Sequence, residues 1–281
     1  MKLLTKLLEL IAILVVKIFP LELLNKLIGI LPPSIVARLI SSFDSLKIYE
    51  ISLFGAEFML ESGPRDDHYL DLEKDQMRNW EHEVLTIWAS EVENAEVAID
   101  VGAYLGIYSI LAAKLGCPRV LAIEPNSKNF FQLERNLSLN ALVDSVQSFQ
   151  VALGAEPKSI SIVTPPGRPY SSGSQIVDSP TGRSLQSWES ESDVQMVTLD
   201  SLLTAETSRI SVMKIDAEGY ELFILQGAAR TLKDSGPAMV IELLNYEQKI
   251  AVDTYLKDFG YGAGILIETA KGATNFFYQK L

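Results

Sequence analysis

The sequence predicts an α/β fold with a mainly parallel sheet and helices on both of its faces. Three observations carry that expectation. From Glu96 onward, apolar runs of strand length alternate with stretches of helical periodicity. A Gly-x-x-x-Gly turn, Gly102 to Gly106, stands between the first of these strands and the helix after it. A carboxylate, Glu124, ends the next strand, about twenty residues after that turn.

Taken in order, Val97–Val101 reads as a short buried strand. Gly106–Leu115 follows as a helix, with Ile107, Ile110 and Leu111 on one face. Val120–Ile123 is the second strand, Ser127–Leu139 the next helix, and Val146–Leu153 the third strand. Later come a strand over Ile210–Ile215, a helix from about Gly219 to Leu232, a strand over Ala238–Leu243 and a helix near Glu247–Lys257. Two final strands, near Gly264–Glu268 and Asn275–Gln279, flank a Gly-containing turn at Ala270–Ala273. They are expected as an antiparallel hairpin ending the sheet. Between Leu153 and Met196 the alternation breaks, with one short strand at Ser159–Val163 and then a Pro-, Gly- and Ser-rich run from Thr164 to Ser187. Ahead of the core, Trp80–Glu91 reads as a helix, Ile48–Leu60 as a hairpin around Gly55, and Arg65–Asp75 as a charged connector or helix face. The chain thus divides into an N-terminal helical and connector segment, 1–79, and a domain over 80–281.

Composition limits the function. The 281 residues carry 36 acidic and 24 basic side chains, a net charge of −12, which argues against binding a nucleic-acid backbone. Cys117 is the single cysteine, so no intramolecular disulfide forms, and a reducing, cytoplasmic location is expected. Two histidines, His68 and His82, cannot build a multi-His metal site.

Residues 1–40 are rich in Leu and Ile, but Lys2, Lys6, Glu9, Lys17, Glu22 and Lys26 interrupt them. No charge-free run approaches the ~20 apolar residues of a spanning helix. Lys2, Lys6, Glu9 and Lys17 fall on one face at helical spacing. Two readings follow: a peripheral membrane contact through an amphipathic helix, or short helices packed on protein.

The residues with chemistry begin at Asp100-Val101-Gly102-Ala103-Tyr104-Leu105-Gly106. Glycine admits a close backbone approach, and the helix start offers free N–H groups. Such a turn serves a nucleotide, a dinucleotide or tight packing equally well. Glu124, followed by Pro125 and Asn126, narrows the choice, because a strand-tip carboxylate can accept both hydroxyls of a ribose. Asp100 would repel a pyrophosphate but can help to hold a cationic amino group. That favours S-adenosylmethionine over NAD. Replacing Glu124 by Ala is expected to weaken that ligand and leave the fold intact.

These motifs resemble the FkbM family of class I S-adenosylmethionine-dependent methyltransferases. The resemblance rests on Asp100-Val101-Gly102-Ala103, Ile123-Glu124-Pro125-Asn126 and Val151-Ala152-Leu153-Gly154. It extends through Val197-Thr198-Leu199-Asp200 and Met213-Lys214-Ile215-Asp216-Ala217-Glu218-Gly219-Tyr220-Glu221 to Val240-Ile241-Glu242, and covers about residues 80–281. The family usually has Asn where Tyr104 stands. The resemblance implies a Rossmann-like methyltransferase fold with a seven-stranded sheet, and methyl transfer to a hydroxyl of a sugar, glycan or secondary metabolite. It places Asp100, Gly102 and Ala103 around the methionine part of the cofactor, Glu124, Pro125 and Asn126 at the ribose, and Gln150 and Val151 at the adenine.

Asp216 and Glu218 lie at the carboxyl end of a parallel strand, where such sheets bind ligands. Either could take the proton of an acceptor hydroxyl, so both are catalytic candidates, and Glu242 is a third. The competing role is capping the helix predicted from Gly219. Too few acids share the site for a metal to be expected. Glu81 and His82 precede the core where a cofactor is covered, and Tyr170–Ser174 reads as a polar loop over the substrate.

Overall fold

The computed structural model describes residues 47–281 apart from 64, 65, 67, 166–169, 178–187, 205–208 and 271–272. The helical segment expected over residues 1–40 lies outside the described residues.

The chain opens with strands β1 (Lys47–Leu53) and β2 (Ala56–Ser62), joined at Phe54 and Gly55. Both turn residues have positive φ, 50° and 82°, which matches the twist of a two-residue hairpin. Helices α1 (Tyr69–Asp75) and α2 (His82–Val92) lead into β3 (Val97–Val101). Then come α3 (Ile107–Lys114), β4 (Val120–Ile123), α4 (Ser127–Leu139) and β5 (Val146–Phe149). Strands β6 (Ala152–Leu153), β7 (Lys158–Thr164), β8 (Gln175–Ile176) and β9 (Glu189–Val197) follow. The remainder is α5 (Leu199–Leu202), β10 (Ile210–Ile215), α6 (Glu221–Gln226), α7 (Ala229–Asp234), β11 (Ala238–Leu243), α8 (Tyr246–Lys257), β12 (Ile265–Ala270) and β13 (Ala273–Tyr278).

The main sheet has seven strands in the order β12-β13-β11-β10-β3-β4-β5. Five central strands run parallel, and β13 is antiparallel to both of its neighbours, as the C-terminal hairpin requires. Every residue of β3 and β4 is buried. A strand covered on both faces reads as a near-continuous apolar run, broken in β3 only by Asp100, which is why these were recognisable.

Alternation along the central strands sorts side chains into two cores. Ala98, Val212 and Val240 face α2, α3 and the β1–β2 hairpin. Ile99, Met213 and Ile241 face the opposite layer with α6 and α8. Asp100 and Lys214 are register partners on adjacent strands, one step from Ala98 and Val212 respectively along the face-alternating chain and two in sequence. They therefore share the first face.

The structure revises the sequence reading in three places. The strand expected over Val146–Leu153 divides, with β5 in the main sheet and β6 in a second, four-stranded sheet of order β6-β9-β7-β8. The helix expected from Gly219 to Leu232 breaks into α6 and α7 around Gly227. A Cβ at Gly227 would lie 2.1 Å from the Gly154 carbonyl oxygen, so this close approach needs glycine. Residues 47–63 and 66–79 are not merely a connector. Ile51, Phe58, Leu60, Leu72 and Met77 are buried in the same core as Trp88 and Leu111. Asn136 of α4 and Asn140, which follows its last turn, accept the Glu61 and Met59 amides at 2.8 Å each. No helix among the described residues is long and apolar enough to cross a membrane.

Candidate active site

A cavity of about 370 Å³ opens at the carboxyl ends of β3, β4, β10 and β11, the position at which open parallel sheets take ligands. The turn after β3 forms its floor. Gly102 has φ +80°, and a Cβ there would stand 1.8 Å from the Asp216 carbonyl oxygen. Glycine thus lets the tips of β3 and β10 close together, which the Asp216 amide completes by donating to the Val101 carbonyl. Gly102 and Ala103 both line the cavity.

Glu124 and Pro125 line the neighbouring wall. The Glu124 carboxylate accepts the Tyr104 amide at 2.9 Å through Oε2 and the Asn126 amide at 2.9 Å through Oε1. Burial pushes this carboxyl up to about 7, and the two amides hold it from rising further. Beyond it, Ile123, Val151, Leu153, Ile162 and Ile176 supply an apolar slot.

Opposite stands a cluster of ionisable groups. Asp216 accepts from Lys214 Nζ at 2.8 Å, and the Lys214 ammonium sits 4.6 Å from the centre of the Tyr108 ring. Burial by itself would raise the Asp216 carboxyl, but the ammonium outweighs it and holds the group below the usual carboxylate range. Burial pushes Glu242 up to about 10, and the Asp216 charge adds to the rise. At neutral pH the pair therefore consists of an ionised Asp216 and a protonated Glu242. Lys214 is held charged against its own desolvation chiefly by Asp216. Glu81 accepts the Tyr108 hydroxyl at 2.5 Å, and burial raises its carboxyl.

The rim is aromatic. His68 meets Trp80 edge-on at 4.6 Å and Tyr104 at 5.2 Å. The Tyr104 hydroxyl donates to Asp66 Oδ1 at 2.8 Å and lies 3.1 Å from the Tyr170 carbonyl. The side chain that replaces the usual Asn thus fastens the rim to the Tyr170–Ser174 segment, of which Ser172 and Ser174 line the cavity.

Of the residues expected from sequence, Gly102, Ala103, Glu124, Pro125, Val151, Asp216 and Glu218 come together around this cavity. Three do not. Asp100 is 1% exposed and lies behind the lining, where its Oδ2 accepts the Ser109 hydroxyl at 2.7 Å. Its Oδ1 has no hydrogen-bond partner among the described residues, and burial raises the carboxyl. Asn126 points into α4 instead, where it caps the helix by accepting the Lys128 and Asn129 amides. Gln150 is exposed on the link between the two sheets, outside the cavity lining. His82 stacks on Phe54 at 5.8 Å, also outside the lining.

Sequence reasoning missed Glu221. It is 2% exposed, and its Oε1 accepts the Ala217 and Gly219 amides at 3.0 Å each. The helix after this turn has no side-chain cap, and Glu221, its first residue, instead gathers two amides of the turn that precedes it. Its acid four residues after Ala217 was the available signal. Among the described residues, no group of three or more His, Cys, Asp or Glu side chains has the geometry of a metal site.

The family profile of the methyltransferase FkbM domain matches residues 100–262, more than half of the chain. This chain belongs to the FkbM methyltransferase family. Relatives of this methyltransferase include Methyltransferase 1 of Beauveria bassiana, 25% identical over 182 residues, covering 59% of this chain and 72% of that protein. The hexuronic acid methyltransferase AglP of Haloferax volcanii is 25% identical over 187 residues, covering 66% of this chain and 70% of its own length. Among solved structures, the FkbM methyltransferase of Methylobacillus flagellatus superposes with a TM-score of 0.47 at 17% identity, covering 66% of this chain and 43% of that one.

Proposed function

We propose that this chain is an S-adenosylmethionine-dependent O-methyltransferase acting on a hydroxyl of a sugar, glycan or secondary metabolite. The observation that carries the reading is the placement of Glu124 and Asp216 on opposite walls of one cavity. The donor set suits the cofactor: an acceptor carboxylate for a ribose diol beside an apolar slot for a purine, in a volume within the ordinary range of ligand sites. The name of the Haloferax volcanii relative supports a sugar acceptor.

Glu124 would hold the ribose hydroxyls, and Ile123, Val151 and Leu153 would enclose the base. When bound, the cofactor supplies an electrophilic sulfonium methyl. Asp216, kept ionised by Lys214, would accept the proton of the acceptor hydroxyl as its oxygen becomes a nucleophile. Protonated Glu242 would donate to Asp216 or to the acceptor and fix its orientation. Glu218 lines the same wall and is the second group able to hold an acceptor hydroxyl.

Calorimetric titration with S-adenosylhomocysteine and with NAD tests the cofactor. Binding of NAD alone would overturn the reading in favour of a nucleotide-dependent oxidoreductase. Turnover with radiolabelled cofactor over a glycan and lipid panel tests the chemistry. Binding with no turnover on any acceptor would favour a silent cofactor-binding module. For residues 1–40 the two readings, a peripheral membrane contact or helices packed on protein, are separated by liposome co-sedimentation of the full chain against one lacking them. Equal partitioning would refute the membrane contact.

A further inference from the structure

We infer that Gln175, carried by the second sheet, reads the base edge of the bound cofactor. The inference rests on the S-adenosylmethionine reading above and names the residue that selects adenine.

Gln150, expected at the adenine, is exposed and outside the cavity lining. Gln175 is 1% exposed and lines the cavity. It belongs to β8, where it is the register partner of Val163 on β7. The next pair in that register, Ile162 and Ile176, forms part of the apolar slot. Val151 and Leu153 enter the same slot from the link between the sheets and from β6.

Hydrogen bonds place this end of β8 beside the ribose wall. Asn126 Nδ2 donates at 3.3 Å to the hydroxyl of Ser174, the residue before Gln175. The Asn126 backbone amide donates to Glu124 Oε1 at 2.9 Å. Asn129, which also lines the cavity, donates to the Ser171 carbonyl at 3.0 Å and lies 3.5 Å from the same Glu124 oxygen. A ribose held at Glu124 thus has the slot beside it, and its base enters alongside Gln175.

An amide side chain carries an acceptor oxygen and two N–H donors. Adenine presents its 6-amino donor beside an acceptor ring nitrogen, and a glutamine amide pairs with both at once. Apolar surroundings strengthen such bonds, because the local dielectric is low. The aliphatic residues cover the faces of a purine, and Gln175 selects by its edge.

The test is calorimetry on the full chain. S-Adenosylhomocysteine is titrated first, and failure to bind would refute the cofactor reading, whatever Gln175 does. The second ligand is the analogue with purine in place of adenine, which lacks only the 6-amino group. The parent should bind S-adenosylhomocysteine about tenfold to a hundredfold more tightly than this analogue. Gln175→Leu should lose that preference by weakening S-adenosylhomocysteine. Gln175→Met makes the same removal if the Leu variant does not fold. Gln150→Leu should keep the parent's preference. A parent that does not distinguish the two ligands would overturn the inference. So would a folded Gln175 variant that distinguishes them as the parent does, or a Gln150→Leu variant that no longer does.

Discussion

Glu124 Oε2 accepts the backbone amide of Tyr104 at 2.9 Å, so the tip of β4 is tied to the turn after β3. The other oxygen takes the Asn126 amide at the start of α4. This corrects the expectation that truncating Glu124 leaves the fold untouched. Glu124→Ala strands two buried amides, each worth roughly 1–3 kcal/mol when unsatisfied. Its melting temperature should fall, alongside a tenfold to hundredfold loss of S-adenosylhomocysteine affinity, about 1.4 kcal/mol per factor of ten. Glu124→Gln keeps one acceptor oxygen and should lose less stability while still losing affinity. Calorimetry on both variants separates the two effects, and parent-like affinity in the Gln variant would remove Glu124 from the ribose site.

The same burial makes stability depend on pH. Glu124 and Glu221 are each pushed up to about 7 by burial, from an unfolded value near the ordinary ~4.3. Between those values the folded chain binds more protons than the unfolded chain, so stability falls as pH rises. The contribution is fully present below the unfolded value and lost as pH passes the folded one. Ligand-free protein should therefore melt higher at about pH 5 than at about pH 8. Glu221→Gln retains an acceptor for the Ala217 and Gly219 amides and removes one of the two titrations. A scanning-calorimetry series in which that variant shows the parent's slope would exclude Glu221 as a source.

Gly102 and Gly116 both have positive φ, 80° and 97°, but their surroundings differ. A Cβ at Gly102 would lie 1.8 Å from the Asp216 carbonyl oxygen, whereas nothing stands within 4 Å of one at Gly116. Gly116→Ala should cost only the left-handed backbone strain, about 1–2 kcal/mol. Gly102→Ala must also separate β3 from β10, and should give insoluble protein or a far larger fall in melting temperature. Equal losses in thermal melts of the two variants would show that the β3–β10 approach is softer than these distances imply.

Much of the fold could be read because burial on both faces writes mostly apolar runs into β3, β4, β10 and β11, each broken at most by one or two polar residues such as Asp100, Lys214 and Glu242. The α4 helix was legible to its ends because Asn126 and Asn140 flank it. Of the second sheet only β7 was, as the strand expected at Ser159–Val163. Its longest strand, β9, begins Glu189-Ser190-Glu191-Ser192-Asp193, a polar run without strand character of its own, and it is held by pairing with β7. At the site, strand-tip residues were legible because the alternation fixes where a strand ends. Asn126 and Gln150 were misplaced because adjacency in sequence does not fix direction: one turns into its helix and the other crosses between sheets. Glu221 was hidden because its role depends on a tertiary turn, with Glu218 at φ 49° and Gly219 at φ 96° bringing two amides onto one oxygen.

Tyr104 offers a test that separates its backbone from its side chain. Its amide serves Glu124, while its hydroxyl reaches Asp66 Oδ1 at 2.8 Å, an atom that also accepts the His68 amide at 2.8 Å. Asp66 in turn forms a bridge with Tyr170. Tyr104→Phe removes only the hydroxyl and leaves the ring against His68. A hydrogen bond to a charged group contributes roughly 1.5–3 kcal/mol, so the loss should fall on the rim and not on the cofactor wall. Amide hydrogen exchange at Asp66, His68, Tyr170 and Ser171 should accelerate by about tenfold or more, the factor that 1.4 kcal/mol supplies. Affinity for S-adenosylhomocysteine should stay near that of the parent, because the Glu124–Tyr104 bond belongs to the backbone. Exchange that is unchanged at the rim, or faster equally throughout β3 and β4, would show that the hydroxyl does not fasten this part of the cavity.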